Sequence, residues 1–209
     1  MALPEFEDLP FYERPDLTPY LVHLTKNTKK EDSFTAFENL VNILKEGELR
    51  GSKTSKGFIK GPNRASCFMD VPFSALKYVL NARDRNPNNP RYEPYGIVVT
   101  KKYAYTQGCR PVLYLSDEET KVLKIASEYL WRVVRFEVTE EGWISWLHER
   151  EWRCRGNFAL PERPLAVLVK TPTEVEKLAK LIQESPDEFV SIPRSIIPLT
   201  MICQGLPKR

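Results

Sequence analysis

The chain has 209 residues, 42% apolar and 28% charged, which suits one globular domain with a core of its own. Its net charge of +3 admits an anionic ligand but lacks the concentrated basic stripe of a dedicated nucleic-acid-binding module. Mean hydropathy is −0.41, and no run approaches the roughly 18 to 20 apolar residues that cross a bilayer. MALPEFEDLPFYERPDL sets acids and prolines where the apolar stretch of a signal peptide would stand. The cysteines Cys67, Cys109, Cys154 and Cys203 lie more than 40 residues apart with no C-x-x-C pair, so free thiols in a cytoplasmic protein are expected.

Residues 1–18 are rich in proline and acid and read as an extended arm. PYLVHLT (19–25) reads as a strand. Phe37, Leu40, Val41 and Leu44 then recur at helical spacing, with Thr35 and Glu38 as a capping box and Gly47 as a stop. GSKTSKGFIKGPNRAS (51–66) is a glycine-rich basic loop, SCFMDVP a short strand and turn, and Pro72 the first residue of a helix through Phe73, Leu76 and Leu80. After the loop RDRNPNNPRYEP (83–94) come the strand YGIVVT, a helical turn closed by Gly108, and the strand RPVLYLS (110–116). The spacing of Leu123, Ala126, Leu130 and Val133 predicts a long helix over 117–136.

RPLAVLVK (163–170) reads as a buried strand. A helix follows with Thr171 as N-cap, Pro172 at N1, Glu174 at N3 and a stripe of Val175, Leu178, Ala179 and Ile182. SIPRSIIPLTMIC ends the fold as a proline-interrupted strand. No linker divides residues 19–209, which read as a single domain. The strands are short, their alternation with helices is irregular and the dinucleotide glycine fingerprint is missing. The pattern therefore predicts an α+β fold around a mixed or antiparallel sheet with flanking helices, rather than a Rossmann fold.

No phosphate loop, serine elbow or zinc helix is present. With two histidines, His23 and His148, metal ligands are scarce, and no metal site is expected. His23 shares a strand face with Thr25, an arrangement that suits a ribose hydroxyl or an amide and equally a half-buried, satisfied histidine. The stretch WLHEREWRCRG (146–156) also reads in two ways. If extended, Glu149 and Glu151 share a face, where two carboxylates repel unless a cation, a sugar hydroxyl or a shared proton lies between them. Such a pair can stabilise an oxocarbenium ion. If helical, Glu149 pairs with Arg153 four residues on and is part of a solvated surface.

LVHLT and FENLVNILKEGELRGS together resemble the opening of ADP-ribosyltransferase-like proteins of the PARP and DarT kind. SCFMDVPFSAL, YGIVVTKKYAYTQGCRPVLYLS and WLHEREWRCRG are similar to blocks of the AbiG-type abortive phage resistance family and a related bacterial domain family. The resemblance spans about residues 19–156 and implies a split, twisted sheet that grips NAD, as substrate, in a cleft. It implies Glu151 as the catalytic glutamate and Glu149 as the first acid of an E-x-E pair. His23 and Thr25 would hold NAD, Tyr95 or Tyr114 would stack on nicotinamide, and Arg64 would reach the pyrophosphate. The chain departs from the transferase pattern in having no S-T-S strand and no arginine on its first strand.

The resemblance points to an NAD-consuming enzyme of a bacterial phage-defence or toxin system, transferring ADP-ribose to a nucleic acid or protein. The alternative is an inactive binding or regulatory protein, antitoxin-like, of a two-gene defence system. In that case HEREWR is an ion-pair cluster, and Lys53, Lys56, Lys60 and Arg64 form a partner surface. A nuclease using Asp70, Glu149 and Glu151 is the third reading, provided the fold joins them.

Overall fold

In the run YLVHL, Leu21 and Val22 are both fully buried although they point to opposite faces, so this strand lies between two layers. The computed structural model describes residues 14–28, 34–52, 58–80 and 91–203. In it the run is β1 (Tyr20–Leu24), which pairs antiparallel with β4 (Gly96–Thr100). Strand β4 pairs antiparallel with β12 (Ala166–Val169), and β12 runs parallel to β13 (Ile196–Pro198), giving a mixed four-stranded sheet of order β1-β4-β12-β13. The central strands GIVVT and AVLV are nearly continuous apolar runs because both of their faces are covered.

On one face Leu21, Ile97, Val99, Val167 and Val169 meet Leu40 and Leu44 of α1 (Ala36–Glu46) and Leu178 of α5 (Pro172–Glu184). On the other, Val22, Val98 and Leu168 meet Leu76 and Val79 of α2 (Leu76–Val79) and Leu199 of α6 (Leu199–Ile202). The capping signals act as expected. Thr35 and Glu38 form a reciprocal box at the start of α1, Thr171 and Glu174 do so for α5, and Gly47 ends α1 at φ 66°.

A second, antiparallel sheet has the order β3 (Ala65–Phe68), β10 (Trp152–Arg155), β5 (Arg110–Pro111). It joins the first where Val22 and Met69 exchange backbone hydrogen bonds of 2.9 and 2.7 Å. The fold is thus α+β with its sheet split in two. Smaller pairs complete it: β2 (Glu48–Leu49) with β11 (Phe158–Ala159), β6 (Leu113–Leu115) with β7 (Val133–Arg135), and the hairpin of β8 (Glu137–Thr139) and β9 (Gly142–Ile144). Helix α3 (Lys101–Thr106) follows β4 directly, with Thr100 as its cap.

Several elements differ from the sequence reading. The long helix over 117–136 is replaced by α4 (Asp117–Val122), a 3₁₀ turn at Ser127–Arg132 and β7. A Ser116–Glu119 capping box starts α4, but none of its six residues is buried and Leu123 is exposed. Without a core to pack on, the helix stops at Lys124 (φ 48°), and the β-branched pair Val133–Val134 is buried as a strand beside β6. The strand expected at 110–116 divides at Val112, its halves pairing with β10 and β7. Pro72 opens a 3₁₀ turn before α2, Ala179 is exposed on α5, and the last strand is confined to β13 before α6. Most of the expected arm (residues 1–13), Lys53, Lys56 and residues 83–90 of the second loop lie outside the described residues. Among the described residues no helix is long and apolar enough to cross a membrane.

Candidate active site

The segment before β10 is neither a continuous strand nor a helix. Leu147–Glu149 form a 3₁₀ turn, Arg150 adopts the left-handed conformation (φ 44°, ψ 52°), and the strand begins at Trp152. A left-handed non-glycine residue costs about 1–3 kcal/mol and persists where its surroundings enforce it. Here Arg150 Nε donates to the Asp70 carbonyl at 2.7 Å and Nη2 to the Asp16 carbonyl at 2.5 Å. Both flanking carboxylates are consequently drawn inside, Glu149 at 6% and Glu151 at 7% exposure. Backbone bonds hold the turn in place: Asp70 N–H donates to Glu149 O, Val112 N–H to Glu151 O, and Glu151 N–H to the Tyr114 hydroxyl, each at 3.0 Å.

The two acids have unlike partners. Arg153 grips Glu151 with both arms, Nε to Oε1 at 2.8 Å and Nη2 to Oε2 at 3.0 Å, while its Nη1 donates to the carbonyls of Trp131 and Val133. Arg153 is itself buried, so this is a desolvated, bidentate and well-satisfied ion pair. The Cys67 thiol feels Glu151 as well; burial, then the Glu151 charge, pushes that thiol well above its usual pKa. Glu149 instead accepts from the Tyr92 hydroxyl at 2.7 Å, with His148 Nε2 at 3.8 Å. Burial raises the pKa of Glu149; the Tyr92 hydrogen bond pulls against it, and the Glu151 charge adds to the rise.

His23 reaches this cluster from β1. Its Nδ1 lies 2.8 Å from the Cys67 carbonyl, and because a carbonyl only accepts, Nδ1 bears the proton and Nε2 keeps its lone pair. Burial lowers the His23 pKa, the bond to Cys67 partly opposing it, which favours the neutral ring. The structure therefore gathers His23, Tyr114, Glu149 and Glu151 around Cys67 and Arg153 at the seam between the two sheets.

The remaining expected residues lie elsewhere. The buried Thr25 donates to the Ala36 carbonyl at 2.9 Å and the Tyr95 carbonyl at 3.3 Å. Tyr95 donates to Glu174 Oε1 at 2.5 Å on the first turn of α5 and packs edge-on against Phe37. Both tie β1 and β4 to helices. Arg64 is exposed just before β3, three residues and about 10 Å of strand from Cys67. Asp70 lies beside Glu149 along the backbone, but its carboxylate pairs with Lys101 at 2.7 Å. Among the described residues no group of three or more His, Cys, Asp or Glu is placed to hold a metal.

A cleft of about 710 Å³ reaches the turn at His148, with Val71, Val79, Tyr78, Arg91 and Trp146 also in its lining; Glu149, Glu151 and His23 are not part of that lining. The Arg91 guanidinium lies 3.5 Å from the centre of a Trp146 ring, and Phe58 sits 5.6 Å from Trp146 and 5.9 Å from the same guanidinium. Phe58, Tyr78 and Trp143 stand largely in solvent around it. Sequence reasoning missed Tyr92 and Arg91, and had the pairing of Arg153 only as part of a surface ion-pair cluster, where the structure buries it. Glu-x-Arg spacing on a strand was the available signal for Arg153. Arg91 and Tyr92 carried none, since they close a stretch whose prolines and asparagines mark it as loop.

The chain matches no family model and no curated protein. It is similar to solved structures of Thermus sp. 2.9 DarT. With DarT in complex with NAD+ it shares 16% identity over 87% of this chain and 96% of that one, at a TM-score of 0.48. With the carba-NAD+ complex the identity is 17%, the coverage 87% and 96%, and the TM-score 0.47. With the complex with ADP-ribosylated ssDNA the values are 16%, 87% and 94%, and 0.46.

Proposed function

We propose that this chain is an ADP-ribosyltransferase that cleaves the nicotinamide–ribose bond of NAD and transfers the ADP-ribosyl group to a nucleic acid. The observation that carries the reading is the pair of buried carboxylates with unlike partners, Arg153 for Glu151 and Tyr92 for Glu149, with His23 tied to the same cluster through Cys67. Glu151, oriented by Arg153, faces the positive charge that develops on the ribose as nicotinamide leaves. Glu149, whose pKa is raised, takes the proton that the acceptor loses when it attacks the ribose carbon. The Nε2 lone pair of His23 accepts from a ribose hydroxyl, and Tyr114 holds the backbone between the acids. Thr25 and Tyr95 serve this site through the frame they brace, and Arg64 acts at its margin.

The exposed rings of Trp143, Tyr78 and Phe58 around Arg91 favour a single-stranded acceptor, because base–aromatic stacking contributes about 1–3 kcal/mol per base. The resemblance to AbiG-type proteins supports a bacterial phage-defence or toxin setting, with a partner protein of the same system, in the cytoplasm. Nicotinamide release from NAD, measured with and without single-stranded DNA or cell lysate, tests the proposal. Glu151→Gln should slow release on the order of a hundredfold or more. No release by the unaltered chain under any of these conditions sinks it. A second reading, an inactive binding or regulatory protein, draws on the buried grip of Arg153 on Glu151; there, Glu151→Gln changes stability and nothing else.

A further inference from the structure

Away from that site, the antiparallel register of β10 and β5 places two sulfurs face to face. Trp152 opposes Pro111 and Arg153 opposes Arg110, so continuing that register one step past the end of β5 sets Cys154 opposite Cys109. Val112 N–H donates to Glu151 O, which makes 151–112 and 153–110 the hydrogen-bonded positions and 154–109 a non-hydrogen-bonded one. At such a position the Cα atoms stand about 4.5 Å apart with side chains on the same face. That separation lies within the span a disulfide bridges, about 4.4–6.8 Å. Cys154 Sγ donates to the carbonyl of Gln107, two residues before Cys109, at 3.1 Å, and each thiol shifts the titration of the other.

We infer that Cys109 and Cys154 are a covalent modification site, a cross-strand disulfide that a hydroperoxide forms and a thiol reductant opens. The neighbouring Cys109 thiol pulls Cys154 below the usual thiol value, whereas Cys154, then burial, pushes Cys109 up. Cys154, on giving up the proton it directs at the Gln107 carbonyl, is the attacking thiolate. It breaks the O–O bond of hydrogen peroxide, forming a sulfenic acid and releasing water. Cys109 then attacks that sulfur: the S–S bond forms, the S–O bond breaks, and the hydroxide leaves as water with the Cys109 proton. In sum, two thiols and one peroxide become one disulfide and two waters.

Both thiols are buried, but they lie directly beneath the turn Gln107–Gly108, which is exposed and offers a small oxidant a short route. A side chain built on Gly108 would meet nothing within 4 Å. The other cysteines lie apart, Cys67 against Glu151 and Cys203 against the Phe73 carbonyl.

The test treats the full chain with hydrogen peroxide, alkylates the remaining thiols under denaturing conditions and maps the peptides. The expected result is loss of two of the four free thiols and one peptide pair joined through Cys109 and Cys154. The oxidised chain should melt several degrees higher and return on reduction, because the bridge closes a loop of some 45 residues. A Cys67→Ser/Cys203→Ser variant should form the same bridge and gain as much in melting temperature on oxidation. Four alkylated cysteines after oxidation, bridges through Cys67 or Cys203, or sulfinic acids without a bridge would each overturn the inference. NAD plays no part in this test, so the site stands or falls independently of the proposed activity.

Discussion

The two halves of the split sheet are held by opposite means. The sheet β1-β4-β12-β13 is sandwiched between helices and filled with valine, isoleucine and leucine. The sheet β3-β10-β5 and its neighbouring turn instead bury an arginine and two glutamates, with the half-buried thiol of Cys67 beside them. In the first sheet every contact is replaceable, at some cost, by another apolar contact. In the second each charged group depends on a named partner, and removing one strands the other. The half that carries chemistry is the half that burial alone would not hold.

The largest effect should come from stranding a charge. Arg153→Met leaves Glu151 buried without its cation and should cost about 3–5 kcal/mol in urea unfolding, at the upper end of what Leu168→Ala costs in the apolar sheet, about 2–5 kcal/mol. The discriminating sample is the double variant Arg153→Met/Glu151→Gln, in which the charge is gone as well. It should recover most of the loss. If the double variant is as unstable as the single one, the second sheet is held by ordinary packing and the contrast fails.

A smaller effect is expected at Tyr92→Phe, which removes the donor to Glu149 and should cost about 1.5–3 kcal/mol, the range for hydrogen bonds to charged groups. A loss below a few tenths would mean that Glu149 finds another donor. The smallest effect is a slope. The pKa of Glu149 is raised above the 4.5 of a free glutamate, so the folded chain binds its proton more tightly than the unfolded one. Its contribution to stability is fully present below pH 4.5 and is lost as pH rises through the folded value. Glu149→Gln should therefore gain on the unaltered chain in melting temperature between acidic and neutral pH. A constant difference between the two melting curves would show that Glu149 titrates as if exposed.

Elements whose signals are local were legible. Thr35, Glu38 and Gly47 specify α1 within thirteen residues of sequence, and Thr171 with Glu174 does the same for α5. The helix expected over 117–136 fails because spacing records which residues would share a face and says nothing about whether a core awaits them. The site was half legible for the same reason. HEREWR announced its carboxylates, yet their setting depends on Arg150 adopting a left-handed turn enforced by carbonyls 80 and 134 residues away in sequence. His23 meets the cluster because Val22 bridges Met69, a pairing that no local pattern encodes.

Arg150 also has a bearing on how the protein is handled. One of its two carbonyl anchors belongs to Asp16, ahead of the first strand. An expression clone trimmed to begin at residue 19 would look harmless on a map of secondary structure. It would remove one of the two supports that hold the backbone between Glu149 and Glu151 in its unusual conformation. A preparation shortened in that way, or clipped there during purification, would report on a different turn from the one the full chain carries.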